Sequence, residues 1–131
     1  GDLVGLELAE FLSERGKKIT VLEPSNDLGP NLSIVRRSRV IHLLKSHGVK
    51  IIKNAKDIKI SNSDVNFELD GSPQSIKANQ VIIAMGTEAN TEFADELIKN
   101  NFNVSMIGDC TSVGYIEGAI SDARIAVKEI I

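Results

Sequence analysis

The stretch Gly1-Asp2-Leu3-Val4-Gly5-Leu6-Glu7-Leu8-Ala9-Glu10-Phe11-Leu12, followed after a short turn by Lys18-Ile19-Thr20-Val21-Leu22-Glu23, decides how the chain reads. Leu3, Val4, Leu6, Leu8, Phe11 and Leu12 recur at helical spacing, and Glu7, Glu10 and Glu14 take the other face. Gly16 supplies a stop, because glycine readily adopts the left-handed conformation that ends a helix. Lys17-Lys18 then leads into a short β-branched run, Ile19 to Leu22, with the character of a buried parallel strand, and Glu23 closes it.

Glycine turn, helix, strand and acid, in that order, make the second half of a dinucleotide-binding βαβ unit. A helix start offers unpaired N–H groups and partial positive charge to a pyrophosphate, which nominates Gly1, Leu3, Val4 and Gly5. Gly5 also lets the helix pack closely on a sheet. Glu23 lies eighteen positions after Gly5, where a carboxylate can accept hydrogen bonds from the adenosine ribose hydroxyls. The residues after it, Pro24-Ser25-Asn26-Asp27, include no arginine to offset a 2′-phosphate, so NAD(H) is favoured over NADP(H). Against this, the first strand and first glycine of the G-x-G-x-x-G fingerprint do not occur in the chain. Asp2 takes the middle glycine's place and sets an anionic side chain where backbone should approach phosphate. The same residues also suit a plain amphipathic helix followed by a strand.

Composition narrows the class. The chain has 131 residues, 42% hydrophobic and 25% charged, which suits a single globular domain rather than a rod or a disordered tail. Fifteen basic and eighteen acidic residues give a net charge of −3 with no basic block, so no nucleic-acid footprint is expected. One cysteine excludes an internal disulfide framework and a multi-cysteine metal cluster. No run approaches the ~20 apolar residues of a membrane helix. No signal segment opens the chain, and the cytoplasm is the expected location.

The remaining pattern mixes two periods. Pro24 to Asn31 is turn-rich. Ser33 to Ser46 reads as a helix bearing Arg36, Arg37 and Arg39, either an anion-binding face or a solvated one. His42 and His47 read as surface or cap residues, and Gly48 as the cap before a strand at Val49–Ile52. From Ala55 to Ala78 the alternation of Ile58, Ile60, Val65, Phe67, Leu69 and Ile76 predicts an antiparallel meander, with turns at Asn62-Ser63-Asp64 and Asp70-Gly71-Ser72-Pro73. Gln80 to Gly86 reads as a strand buried on both faces. A short helix from Glu92 to Lys99, an apolar strand from Asn103 to Ile107, and a long helix from about Tyr115 to Ile131 complete the chain. The strand-loop-helix junction at Gly108-Asp109 has two readings. The aspartate can accept from a ligand's polyol chain, or it can cap the next helix.

Taken together, three segments resemble a known superfamily. Gly5 to Leu12 with Lys18 to Glu23 is similar to the NAD(H)-binding module of the two-dinucleotide-domain flavoprotein reductases. Val81-Ile82-Ile83-Ala84-Met85-Gly86-Thr87-Glu88-Ala89-Asn90 resembles their A-x-G-x-x-x-N segment, and Val104 to Cys110 their late flavin motif. The ending, Ile107-Gly108-Asp109-Cys110 … Ile116-Glu117-Gly118-Ala119-Ile120-Ser121-Asp122-Ala123-Arg124-Ile125-Ala126, most resembles the C-terminal part of 2-enoate and 2,4-dienoyl-CoA reductases, relatives of old yellow enzyme within the pyridine nucleotide-disulfide oxidoreductases.

The resemblance implies that NADH reduces FAD and that electrons pass through an iron–sulfur cluster to FMN in an upstream barrel. Gly5 and Glu23 would belong to the NAD site, Gly86 to the crossing where NAD meets FAD, and Gly108 and Asp109 to FAD. Residues 1–86 would be an NAD(H)-binding domain truncated at its N-terminus, and 87–131 the C-terminal segment of a split FAD-binding domain. The expected fold is α/β: a Rossmann-like parallel sheet lacking its first strand, plus an antiparallel meander. The expected partners are the upstream flavin barrel and the rest of the FAD domain, with self-association through exposed strand edges. No catalytic residue and no metal ligand is nominated, and Cys110 reads as a packed small residue. Two other functions compete: a degenerate, non-catalytic adenine-nucleotide module, and the NAD domain of an NADH oxidase or disulfide reductase.

Overall fold

Helix α1 (Leu3–Glu14) opens the molecule, and a computed structural model describes residues 1–130. The chain divides into two compact units, Gly1–Gly86 and the residues from Thr87 onward.

In the first unit α1 leads through Gly16, at φ +71°, into strand β1 (Thr20–Glu23). Helix α2 (Ile34–Ser46) follows, with the Ser33 hydroxyl accepting from the Arg36 amide at its N-terminus. Gly48, at φ +73°, turns the chain into strand β2 (Lys50–Lys53). The two strands pair in parallel from Thr20 opposite Lys50 to Glu23 opposite Lys53. This is a right-sized crossover for a parallel pair, since such strands need a connection of a dozen or more residues.

The apolar positions of α1 and α2 explain the packing. Leu6, Val40 and Leu44 are fully buried, joined by Ala9, Leu28 and Val49. The buried face of α1 is Leu6, Ala9 and Ser13, not the full set of larger side chains: Val4 and Phe11 stay exposed. Phe11 is covered instead by the Arg15 guanidinium, 3.4 Å from its ring centre. Between the helices, Ser13 is buried; its hydroxyl donates to the Glu10 carbonyl at 2.9 Å and lies 3.1 Å from His47 Nδ1. Arg36 reaches back to Glu10 at 2.7 Å and to Glu7 at 3.5 Å. Of the three arginines of α2, Arg36 is engaged by α1 and Arg37 lies 3.5 Å from Asp27.

The period-two region forms three antiparallel strands, β3 (Lys56–Ile60), β4 (Asp64–Leu69) and β5 (Ser72–Lys77), in that order. A register shift between Lys56 and Lys59 coincides with Asp57 at φ +48°. Pro73 lies within β5 opposite Glu68, not in the turn. It is tolerated there because β5 pairs on one side only. Ile52, Ala55 and Phe67 make a second small core beneath this sheet.

Two expected strands are absent. Residues 80–86 form no regular strand, and Val81, Ile82, Ile83 and Met85 are exposed, Met85 at 82%. Residues 103–107 likewise form no strand, with Met106 and Ile107 exposed. A continuous apolar run becomes a two-faced strand only where neighbouring strands take up its N–H and C=O groups. Among the described residues no strand pairs with either segment.

The second unit is helical. It contains α3 (Glu92–Lys99), a 3-10 turn at Gly108–Cys110 and α4 (Tyr115–Ile130). The expected end of the last helix at Ile131 lies outside the described residues. The fold class is α/β, with one parallel pair and one antiparallel meander.

Candidate functional site

The first site gathers at the end of β1. The first intrahelical bond of α1 runs from the Leu6 amide to the Asp2 carbonyl, 2.9 Å, so the amides of Leu3, Val4 and Gly5 precede the helical ladder. Asp2 does not stand over these amides. Its carboxylate turns to Asn31, accepting from both the backbone and the side-chain nitrogen. The loop between β1 and α2 therefore folds back on the helix start, an arrangement reinforced by the Gly29 amide donating to the Gly1 carbonyl at 2.8 Å.

Glu23 sits under the same loop, with its side chain 13% exposed. One oxygen accepts from the Ser25 amide at 2.7 Å, the other from the Gly1 nitrogen at 2.9 Å. A Cβ at position 1 would fall 2.6 Å from the Glu23 carboxylate and 2.8 Å from Leu28, so these side-chain ends would have to shift to admit one. Burial works to raise the Glu23 carboxyl, and the hydrogen bonds from Ser25 work against it.

These groups suit an adenine dinucleotide. The three free amides offer donors to a diphosphate, and the Asp2 carboxylate bonds to Asn31 and does not cap them. Each Glu23 oxygen retains acceptor capacity for a ribose hydroxyl. Gly5 has a packing role: a Cβ there would touch Ala84 at 3.4 Å. Gly86 holds φ +98° in an exposed backbone with nothing near its missing side chain, so its glycine serves conformation, not close approach.

In the second unit, Gly108 is buried at φ +77° and its amide donates to Asp122 at 3.0 Å. Asp109 Oδ1 accepts from the amides of Gly114 and Tyr115 at 3.0 and 3.1 Å. Of its two expected roles, Asp109 thus performs the helix-capping one, while Oδ2 keeps acceptor capacity for a polyol hydroxyl. Tyr115 is held at φ +54°, a strained setting for a bulky residue, at the start of α4. Gly114 must be small, since a Cβ would meet the Gly118 Cα at 2.9 Å. Cys110 is half-buried with its thiol on the Ile107 carbonyl. Among the described residues there is no cluster of three metal-ligating side chains, and no helix is long and apolar enough to cross a membrane.

Sequence reasoning missed Ser25, Asn31 and Lys53. Lys53 is the β2 neighbour of Glu23, and its ammonium donates to the Asn26 carbonyl at 2.8 Å. Only the register of the parallel pair brings it to the site, and periodicity carries no trace of register.

Known proteins share this architecture. Dihydrolipoyl dehydrogenase from Acholeplasma laidlawii is 25% identical over 138 residues, covering 98% of this chain and 41% of the relative. Cinnamate reductase from Clostridium sporogenes is 27% identical over 133 residues, covering 99% of this chain and 20% of the relative. The solved structure of a 2-naphthoyl-CoA reductase complex superposes with a TM-score of 0.83 at 27% identity, over 93% of this chain and 19% of that one. The chain thus spans less than half the length of these proteins. A family model described as pyridine nucleotide-disulphide oxidoreductase matches residues 1–129. With nearly every residue inside that match, the chain belongs to the pyridine nucleotide-disulphide oxidoreductase family.

Proposed function

We propose that the chain is the NADH- and FAD-binding portion of an NADH-dependent flavin oxidoreductase of the enoate-reductase kind. In this reading, reducing equivalents pass from NADH to FAD and on to an enoate- or enoyl-type reductase module. The observation that carries it is the convergence of the Leu3–Gly5 amides and the Glu23 carboxylate at one end of the β1–β2 pair. Residues 1–86 hold NAD(H), and 87–131 contribute to an FAD domain completed by the rest of a longer polypeptide. That polypeptide also carries the FMN barrel and the iron–sulfur cluster, and it works in the cytoplasm. Likenesses to cinnamate reductase and 2-naphthoyl-CoA reductase support the enoate assignment.

When bound, nicotinamide and flavin supply the hydride chemistry, and the protein supplies orientation and electrostatics. The amides of Leu3, Val4 and Gly5 hold the diphosphate. Glu23, oriented by the Ser25 amide, would accept from the ribose hydroxyls. Asp109, fixed by the Gly114 and Tyr115 amides, presents its second oxygen to the flavin's polyol chain. No residue of this chain is assigned an acid or base role.

A second reading is favoured by the dihydrolipoyl dehydrogenase likeness: the NAD domain of a disulfide reductase. Anaerobic stopped-flow of the intact flavin-loaded polypeptide decides. Bleaching of the flavin by NADH, with reoxidation by a cinnamate-type enoate, supports the proposal. Reoxidation by a disulfide alone supports the second reading, and no bleaching overturns both.

A further inference from the structure

The adenosine end of the site contains a cation that no sequence motif announces. Glu23 and Lys53 are directly paired residues of adjacent parallel strands, so their backbones lie about 4.8 Å apart and their side chains leave the same face of the sheet. Both side chains then bend over the same turn. Glu23 takes the Ser25 amide at 2.7 Å, and Lys53 takes the carbonyl of the next residue, Asn26, at 2.8 Å. The turn is fixed further by the Asn54 amide donating to the Ser25 carbonyl at 3.0 Å. The carboxylate and the ammonium therefore bracket one three-residue loop, and each bonds to it.

We propose that Lys53 is a latent determinant of cofactor choice at the adenosine ribose, a reserve cation that takes up a 2′-phosphate once the Glu23 carboxylate is gone. The inference rests on the dinucleotide reading given above. In the native chain the Glu23 charge repels a 2′-phosphate, and Lys53 serves only to hold the turn. Its present partner is an exposed, neutral carbonyl, which water can replace. A phosphate dianion is a much stronger partner for an ammonium, because the hydrogen bond is then charged on both sides. Discrimination against the phosphorylated cofactor thus rests on Glu23 alone, and removing that charge hands the ribose to Lys53. Arg37 is the other cation at this turn. It approaches from α2 and lies 3.5 Å from Asp27, on the residue after Asn26, so it already has an anionic partner.

Calorimetric titration of the intact protein with NADH and, separately, NADPH tests this. The native protein is expected to bind NADH and to reject NADPH. Glu23→Ser should shift the NADPH-to-NADH affinity ratio by at least about tenfold, the worth of one charge-assisted hydrogen bond. Adding Lys53→Met should abolish the gain, Lys53→Arg should keep it, and Arg37→Met should leave it unchanged. The gained NADPH affinity should also weaken with added salt. A Glu23→Ser protein that binds NADH but gains nothing toward NADPH overturns the role of Lys53 while sparing the dinucleotide reading. So does a gain that Arg37→Met cancels and Lys53→Met does not. A native protein that binds neither cofactor overturns both. Unchanged far-ultraviolet circular dichroism of each variant separates loss of fold from loss of specificity.

Discussion

Leu44→Ala is expected to destabilise the protein by about 3 kcal/mol. Leu44 is fully buried in the cluster where α1, α2 and the loop before α2 meet, with Leu6 and Val40. Truncation loses the transfer free energy of three carbons and leaves a cavity that two helices, clamped by Arg36 to Glu10 and by Ser13 to His47, are poorly placed to close. A domain of this size has about 5–15 kcal/mol in all, so such a loss takes a large share of it. Urea unfolding should show a lower midpoint with an unchanged slope. Ile34→Ala is the contrast. Ile34 lies on the same helix but is 83% exposed, and the change should stay within about 0.5 kcal/mol. Equal effects at the two positions would mean that the helix pair is not the core.

Glu23→Ala is expected to weaken NADH binding by about tenfold to a hundredfold, the range for charge-assisted hydrogen bonds of about 1.5–3 kcal/mol. The residue accepts from Gly1 and Ser25 in the protein itself, so the loss has two parts: the ribose contacts, and the loosening of the 25–27 turn. Glu23→Gln separates them. The amide preserves shape and can still accept from Ser25, so it should recover part of the binding. Calorimetry with NADH and with ADP-ribose reads both. Equal weakening of the two ligands places the defect at the adenosine end, whereas a defect for NADH alone would place Glu23 elsewhere and contradict its role.

The legibility of this chain in its sequence follows what is local. The helices α1, α2, α3 and α4 are visible because their spacing and their stops, Gly16 and Gly48, act within a few residues. The meander is visible because alternation is local too. Residues 80–86 and 103–107 are the failures, and for one reason: both are apolar and β-branched, but a strand is a property of its partners. The same limit applies at the site. Glu23 is legible from its distance to Gly5, because a βαβ unit fixes that spacing. Lys53 is not, since it reaches the turn only through the strand pairing of β1 with β2. Asp2 shows the reverse error. In the sequence its charge opposes phosphate, and only the return of the loop to Asn31 shows which partner its carboxylate takes.

The borders of the meander have a consequence for how the protein behaves in concentrated solution. On one side Pro73 withholds an N–H from any further ladder. On the other, Asp57 interrupts the regular pairing of β3 between two lysines, Lys56 and Lys59. Both borders therefore resist edge-to-edge growth into a cross-β stack, while the aliphatic run from Val81 to Met85 is left exposed without such protection.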